Sequence, residues 1–250
     1  MITAVRVEAL KLARSPVGGT ATLALVLGIV VLLAGITAGV AGGDPRLIAK
    51  AGPAAALDWE GLVAGAHQIA AAAALLGFGS VLSWMFAREF TDRTITGLFA
   101  LPVGRGRIAL AKLTVHLLWA VLVGLVLPLG VAALGLLLGY GAPTAEAGGA
   151  LARLSALVAL TGILATPVAW IATVTRSLLA GVGGTIALVA IAQVGALAGA
   201  GGWMPLAAPA LWAMSGGAAV NAVQLALVPV FGAAFTVLTC AAWARLQLTR

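Results

Sequence analysis

Residues 88–112 read REFTDRTITGLFALPVGRGRIALAK, and this segment carries five of the fourteen basic and two of the seven acidic residues of the chain. The sequence on both sides of it is almost purely apolar for longer than the roughly 20 residues that a helix needs to cross a bilayer. The segment is therefore predicted to be an aqueous loop between two membrane spans.

The composition of the whole chain indicates a polytopic membrane protein. Its 250 residues are 62% hydrophobic and only 8% charged, whereas soluble domains carry about 25% charged residues. We predict an all-α fold with one transmembrane domain over residues 1–250 and no room for a soluble catalytic or nucleotide-binding domain. The six predicted spans are residues 18–40, 62–86, 113–139, 151–174, 178–198 and 222–243.

The basic residues predict the orientation of these spans. Eleven lie on the side of the two termini and of the 88–112 loop, against three on the other side, and cytoplasmic loops are the basic ones. We therefore expect both termini and this loop in the cytoplasm. The eleven are Arg6, Lys11, Arg14, Arg88, Arg93, Arg105, Arg107, Lys112, Arg176, Arg245 and Arg250. Because these residues follow helix ends, the net charge of +7 does not indicate nucleic acid binding.

Two further segments are predicted to lie at the membrane surface. Residues 1–15 place Arg6, Glu8, Lys11 and Arg14 on one helical face and apolar residues on the other, which indicates an interfacial helix. A cleaved signal peptide is the alternative, but the apolar run that follows is too long for one. Residues 199–221 are apolar but interrupted by Gly and Pro, and we expect a pair of short helices at the outer face.

The spans carry no recognisable catalytic or metal-binding pattern. All seven carboxylates are expected in or beside loops, which argues against a carrier driven by its own ion binding. His67 and His116 are predicted near opposite faces of the membrane, so they cannot share a metal, and Cys240 is a lone cysteine inside the last span. The chain is therefore not expected to be an enzyme.

The central loop has a helical pattern of its own. Apolar and small residues recur at helical spacing, and Leu101-Pro102 would end the helix. The residues on this face are Phe90, Thr94, Leu98 and Leu101, and Glu89 at the start of the segment suits a helix N-terminus. From the pattern alone, a solvated loop with some helix remains an equal alternative.

The same residues resemble the intracellular loop of ABC-2 type permeases, the membrane subunits of ABC exporters. The resemblance rests on one set of positions: Glu89, Thr94, Leu98, Leu101, Pro102, Arg105, Ile108 and Lys112. It extends to the layout of six spans, one long inner loop after the second span and an outer helical hairpin before the sixth. The chain looks most like the compact permeases of bacitracin and lantibiotic self-protection exporters.

The resemblance implies a function and a set of partners. The helix from Glu89 to Leu101 would be the coupling helix that docks on a separate ATPase subunit, with the turn at Arg176 as a second, smaller contact. The predicted coupling residues are Glu89, Phe90, Thr94, Leu98, Leu101, Pro102, Arg105 and Arg176. The chain has no phosphate-binding Gly-x-x-x-x-Gly-Lys-Ser/Thr loop, so ATP and Mg²⁺ are expected in the partner and no cofactor in this chain.

The expected activity is outward transport of a hydrophobic or amphiphilic compound, such as an antibiotic, a peptide or a lipid-like molecule, across the bacterial cytoplasmic membrane. Such an activity would confer multidrug or antibiotic resistance. Sodium extrusion by a relative with a similar sequence is an alternative, and a membrane assembly or scaffolding protein without transport activity is another.

The expected assembly contains a second copy of the chain or a similar permease within membrane lipid. The small-residue pairs Gly35 and Gly39, and Gly195 and Gly199, are candidate faces for close helix packing in such a dimer.

Overall fold

The computed structural model describes residues 1–92, 94–99 and 102–247, without the side chain of Phe99. In this part of the chain the regular structure is helical, and no β-strand occurs. Ten α-helices follow one another: α1 Ile2–Ala13, α2 Pro16–Ala41, α3 Pro45–Ala51, α4 Trp59–Thr91, α5 Ile95–Phe99, α6 Arg105–Leu137, α7 Ala145–Thr175, α8 Leu178–Leu197, α9 Ala208–Met214 and α10 Ala222–Arg245. Helix α2 includes a π-helical turn at Ala24–Gly28, and α7 is interrupted at Ala165.

Six of these helices are long and apolar enough to cross a membrane, namely α2, α4, α6, α7, α8 and α10. The six-span all-α fold class predicted from the sequence is therefore confirmed. Helices α4 and α6 each have 33 residues, or about 50 Å, and exceed the roughly 30 Å hydrocarbon core. Both extend towards residues 92–104, so the segment that joins them is shorter than the predicted 88–112 loop.

Polar residues define where the spans begin. Ser15, Asp58, Thr144 and Ser177 each accept a hydrogen bond from a backbone N–H of the first turn through the side chain. These bonds satisfy donors that the helix itself leaves unpaired, which a membrane interface does not tolerate well. Asn221 begins α10 in the same way, and its partner Gln224 accepts from the Asn221 N–H in return.

The core of the bundle lies between α4, α6 and α7. About half or more of the apolar stretch of these spans is buried within the chain, at 56%, 44% and 67%, compared with 28%, 11% and 17% for α2, α8 and α10. The centre is closely packed, because Phe78 is fully buried and its ring meets Trp119 edge-on at 5.2 Å. The three peripheral spans leave long apolar faces to surrounding lipid.

The two ends of the bundle differ in composition. We call the end that carries α1, α5 and the last turn of α10 the basic end. The opposite end carries α3, the 3₁₀ turns Gly52–Ala55 and Gly201–Trp203, and α9. The predicted pair of short helices within residues 199–221 thus consists of one 3₁₀ turn and one α-helix.

Candidate functional site

Four charged side chains from three helices meet at the basic end, and we call Glu8, Lys11, Glu89 and Lys112 the charge quartet. The ammonium Nζ of Lys112 lies 2.8 Å from Glu8 Oε2 and 2.7 Å from Glu89 Oε1. The Nζ of Lys11 lies 2.9 Å from Glu8 Oε1 and 3.0 Å from Glu89 Oε1. The quartet thus joins α1, α4 and α6.

Three members of the quartet are buried, Lys11 is 31% exposed, and the four formal charges cancel. The side chains of Lys112, Glu89 and Glu8 are only 1%, 2% and 5% exposed. Charges at such depth cost free energy unless each one is paired and hydrogen bonded, a condition that two carboxylates and two ammonium groups meet together. Burial lowers the pKa of Lys11, but the carboxylates of Glu8 and Glu89 raise it more, so its pKa lies above the ordinary 10.5.

The segment between α4 and α6 is attached directly to this quartet. Thr94 precedes α5, and its hydroxyl donates a hydrogen bond to Glu89 Oε2. Ile95 is buried and Leu98 is partly buried against the core, while Pro102 is exposed. A displacement of α5 therefore acts on Glu89 through Thr94, and on the bundle through Ile95.

The predicted helix from Glu89 to Leu101 is not observed as one element. Glu89 and Phe90 belong to the last turn of α4, the chain then turns at Asp92, and α5 covers only Ile95–Phe99. Leu101, a predicted coupling residue, lies outside the described residues.

The expected solvent exposure of Glu89 and Glu8 is wrong. Glu89 was expected in a water-exposed loop, and Glu8 on the polar face of an interfacial helix, yet both are buried. The reason is Lys112, whose ammonium group also lies in the core and needs carboxylate partners. Helix α1 accordingly turns Glu8 and Leu12 towards the bundle and leaves Ile2 and Leu10 exposed.

The remaining predicted coupling residues contact the C-terminal tail. Arg105 donates from its guanidinium to the carbonyl of Leu246, and Arg176 donates to the carbonyl of Gln247 at 3.2 Å. Arg176 adopts a left-handed backbone conformation with φ of 52° and lies 5.8 Å from the ring centre of Phe90. The structure thus brings Phe90 and Arg176 together, and both arginines hold the tail.

Trp243 anchors the tail to the core. It is fully buried, donates from Nε1 to the Thr173 hydroxyl at 3.0 Å, and meets the ring of Phe86 edge-on. The tail beyond it is therefore held at a fixed position beside Arg105 and Arg176.

The candidate dimer glycines have contacts within the chain. Gly39 packs under the side chain of Leu47 in α3, and Gly195 under that of Met204. Gly199 ends α8 with φ of +76°, a conformation that glycine adopts without steric cost. A side chain added at Gly35 or at Gly199 would meet no atom within 4 Å outside its own helix among the described residues. Dimerisation through these four positions stays a prediction, and Gly35 and Gly199 are the two that are open.

No cluster of three or more potential metal ligands occurs among the described residues. His116 is fully buried in α6 and its Nε2 lies 3.0 Å from the Gly162 carbonyl. His67 lies in α4 near the opposite end. Asn221 and Gln224 bond to each other as a cap at the start of α10.

Glu8, Lys11 and Lys112 are the site residues that the sequence analysis missed. From the sequence, Lys112 was assigned only to the pattern of the central loop, and Glu8 only to the polar face of the N-terminal helix. A usable signal was the position of Lys112, seven residues into an apolar helix, where an ammonium group requires an acidic partner. The sequence does not reveal which carboxylates supply it, because Glu8 lies 104 residues away.

The sequence is related to one family of known proteins. A search of curated proteins found no match. The sequence matches the model of a family described as "ABC-2 family transporter protein" over residues 4–193, which cover α1 to most of α8 and include the whole charge quartet. The chain therefore belongs to the ABC-2 family of transporter proteins.

Proposed function

We propose that this ABC-2 permease is the membrane subunit of an ATP-driven exporter and that its basic end docks a separate ABC ATPase subunit. Membership of the family supports the role of permease. Transport in this arrangement requires ATP and Mg²⁺ in the partner, whereas this chain supplies the pathway and the surface that receives the motion of the ATPase. Both termini and α5 would then face the cytoplasm.

The observation that carries the proposal is the link from α5 through Thr94 to the charge quartet. Helix α5 has exposed residues at Thr96 and Gly97 on one side and the buried Ile95 on the other. A partner that moves α5 would pull on Glu89, and Lys112 would pass this force to α1 and α6 at once. Separation of the four charges would leave a buried ion without its partner, which costs free energy. The three helices would therefore move as one body.

The turn at Arg176 supports a second contact next to the first. It joins α7 and α8, and its guanidinium reaches both the Phe90 ring and the tail carbonyl of Gln247. Motion of a partner at this turn would therefore reach α4 and α10. Helix α1, which the quartet holds against α6, extends the same surface.

The proposed substrate is a hydrophobic or amphiphilic compound moved outward, and the proposed assembly has two permease and two ATPase subunits. The chemistry of the bundle supports this substrate class: the spans are lined by apolar residues with few amides, of which Gln68 and Gln193 face a cavity. The carboxylates Glu8 and Glu89 are both occupied by lysines, so neither supports binding of a transported cation.

Site-directed cross-linking tests the docking. Gly97→Cys in a Cys240→Ala background adds a thiol at an exposed position with space for the new side chain. We expect a cross-link to an ABC ATPase that co-purifies in a 1:1 ratio. Gly148→Cys at the opposite end, which is equally open, is the matched control and should give none. A chain that exports its substrate without an ATPase, or that cross-links only through residue 148, would contradict the proposal.

A further inference from the structure

Two neighbouring cavities open at the opposite end of the bundle, away from the charge quartet. The first, which we call the polar cavity, has a volume of about 900 Å³ and a mixed lining that includes Glu60, His67, Glu146 and Arg153 beside apolar residues. The second, the apolar cavity, has a volume of about 330 Å³ and a mostly aliphatic lining. Both volumes fall within the range of small-molecule sites.

The two cavities follow each other along the same helices. On α4 the polar cavity is lined by residues from Trp59 to Gln68, and the apolar cavity by residues from Gln68 to Leu75. On α7 the change from polar to apolar lining falls between Arg153 and Leu157. Gln68 and Met214 line both cavities. Together they extend over seventeen residues of α4, from Trp59 to Leu75, or about 24 Å.

The polar cavity contains side-chain nitrogen atoms that are buried without a hydrogen-bond partner. They are Trp59 Nε1, His67 Nε2 and Arg153 Nε, whereas only one other such atom, His116 Nδ1, occurs in the described part of the chain. Trp59 is 7% exposed and His67 is 4% exposed. Buried polar atoms normally have partners, because an unmade hydrogen bond costs free energy. All three belong to residues that line the polar cavity, so this end of the bundle holds polar groups that the packed helices do not satisfy.

The charges around this cavity restrict the ligand further. Arg153 forms no ion pair with any carboxylate among the described residues, and its Nε is buried. Glu60 and Glu146 line the same cavity but are exposed. The guanidinium of Arg153 is therefore more buried than the carboxylates of Glu60 and Glu146. A head group with a phosphate inside and an ammonium group outside matches this order.

We propose that the two cavities form one site for a zwitterionic amphiphile with a phosphate, an ammonium group and a single apolar chain. The phosphate pairs with the guanidinium of Arg153, which lines the polar cavity and has no carboxylate partner among the described residues. A guanidinium can donate two parallel hydrogen bonds to a phosphate, and the ammonium group then lies towards Glu60 and Glu146. The apolar chain lies along Leu75, Leu157 and Leu164 in the apolar cavity. The site does not depend on an ATPase, so it goes beyond the proposed transport role.

Binding of lysophosphatidylethanolamine to the purified permease in a neutral maltoside detergent tests the site, measured by isothermal titration without ATPase. We expect saturable binding that Arg153→Gln weakens at least about tenfold, because a charged hydrogen bond is lost. Arg46→Gln, which removes an exposed charge outside the cavities at the same end, is the matched control and should bind like the wild type.

A second variant tests the apolar chain separately. Ala71→Leu narrows the apolar cavity and should weaken binding of the lysolipid several-fold, whereas Ala187→Leu on the exposed face of α8 should not. Phosphoethanolamine, which has no chain, and a monoacylglycerol, which has no phosphate, should both bind far more weakly. The proposal would be overturned if either compound bound as tightly as the lysolipid. It would also be overturned if the lysolipid bound to Arg153→Gln as tightly as to the wild type. Because no ATPase is present, these results are independent of the docking experiment.

Discussion

The two ends of this permease treat polar groups in opposite ways. At the basic end, Glu8, Lys11, Glu89 and Lys112 satisfy one another, and two arginines bind carbonyls of the C-terminal tail. At the opposite end, Trp59, His67 and Arg153 leave nitrogen atoms without partners around an open cavity.

This difference indicates that the basic end holds helices together, whereas the opposite end presents polar groups that can recognise a ligand. A buried polar group with all its partners fixes the relative position of the helices that carry it, whereas one without partners in the chain retains its hydrogen-bonding capacity. The basic end is therefore suited to move as a unit, and the opposite end to accept a ligand.

Lys112→Met should have the largest effect because it leaves two buried carboxylates with only the partly exposed Lys11 as a cation. We expect a loss of about 3 to 5 kcal/mol in stability, as for other broken buried ion pairs. Thermal unfolding in detergent measures it. The exposed Lys50→Met at the opposite end is the matched control and should unfold like the wild type. An unchanged midpoint for Lys112→Met would mean that the quartet contributes nothing to cohesion.

A pair of tryptophan substitutions compares the two ends directly. Trp243→Phe loses the hydrogen bond to Thr173, whereas Trp59→Phe removes a donor that has no partner in the described chain. Both variants lose the same volume, so Trp243→Phe should be more destabilising by about 1 to 2 kcal/mol. Unfolding of the two variants in the same detergent gives this difference. A larger cost for Trp59→Phe would contradict the contrast between the ends.

Thr94→Val tests the link between α5 and the quartet without breaking the quartet. It removes the hydrogen bond to Glu89 and keeps the shape of the side chain. In the complex reconstituted with its ATPase, we expect the stimulation of ATP hydrolysis by substrate to fall several-fold with little change in expression. Thr91→Val, whose hydroxyl bonds only to the Ala87 carbonyl of its own helix, is the control. An equal loss of stimulation in both variants would show that the effect does not depend on the hydrogen bond between Thr94 and Glu89.

The smallest expected effect concerns pH. The folded pKa of Lys11 is raised above 10.5, so its stabilising contribution is complete below pH 10.5 and is lost as the pH rises through the folded value. The difference in unfolding midpoint between the wild type and Lys11→Gln should therefore stay constant from about pH 6 to pH 9. A difference that shrinks within this window would show that another group titrates in the quartet.

Much of the fold could be predicted because its determinants are local. Each span is a continuous apolar run bounded by a capping residue, such as Asp58 before α4 or Ser177 before α8. The site was less accessible to prediction. The family resemblance named Thr94 and Glu89 together, and the two are hydrogen bonded, but Glu89 was expected in water, because a charged residue beside a loop normally lies there.

The number of spans, their approximate ends and the lack of a phosphate-binding loop can be deduced from the sequence, since hydrophobic run length and motif spacing are properties of neighbouring residues. The contacts of Lys112 with Glu8 and Glu89, across 104 and 23 residues, become apparent only in the packed helices, as do the three unpartnered nitrogens on residues that line one cavity. The physical reason is that the partner of a buried charge depends on which helix faces pack together, and this packing is fixed by contacts between spans far apart in the chain.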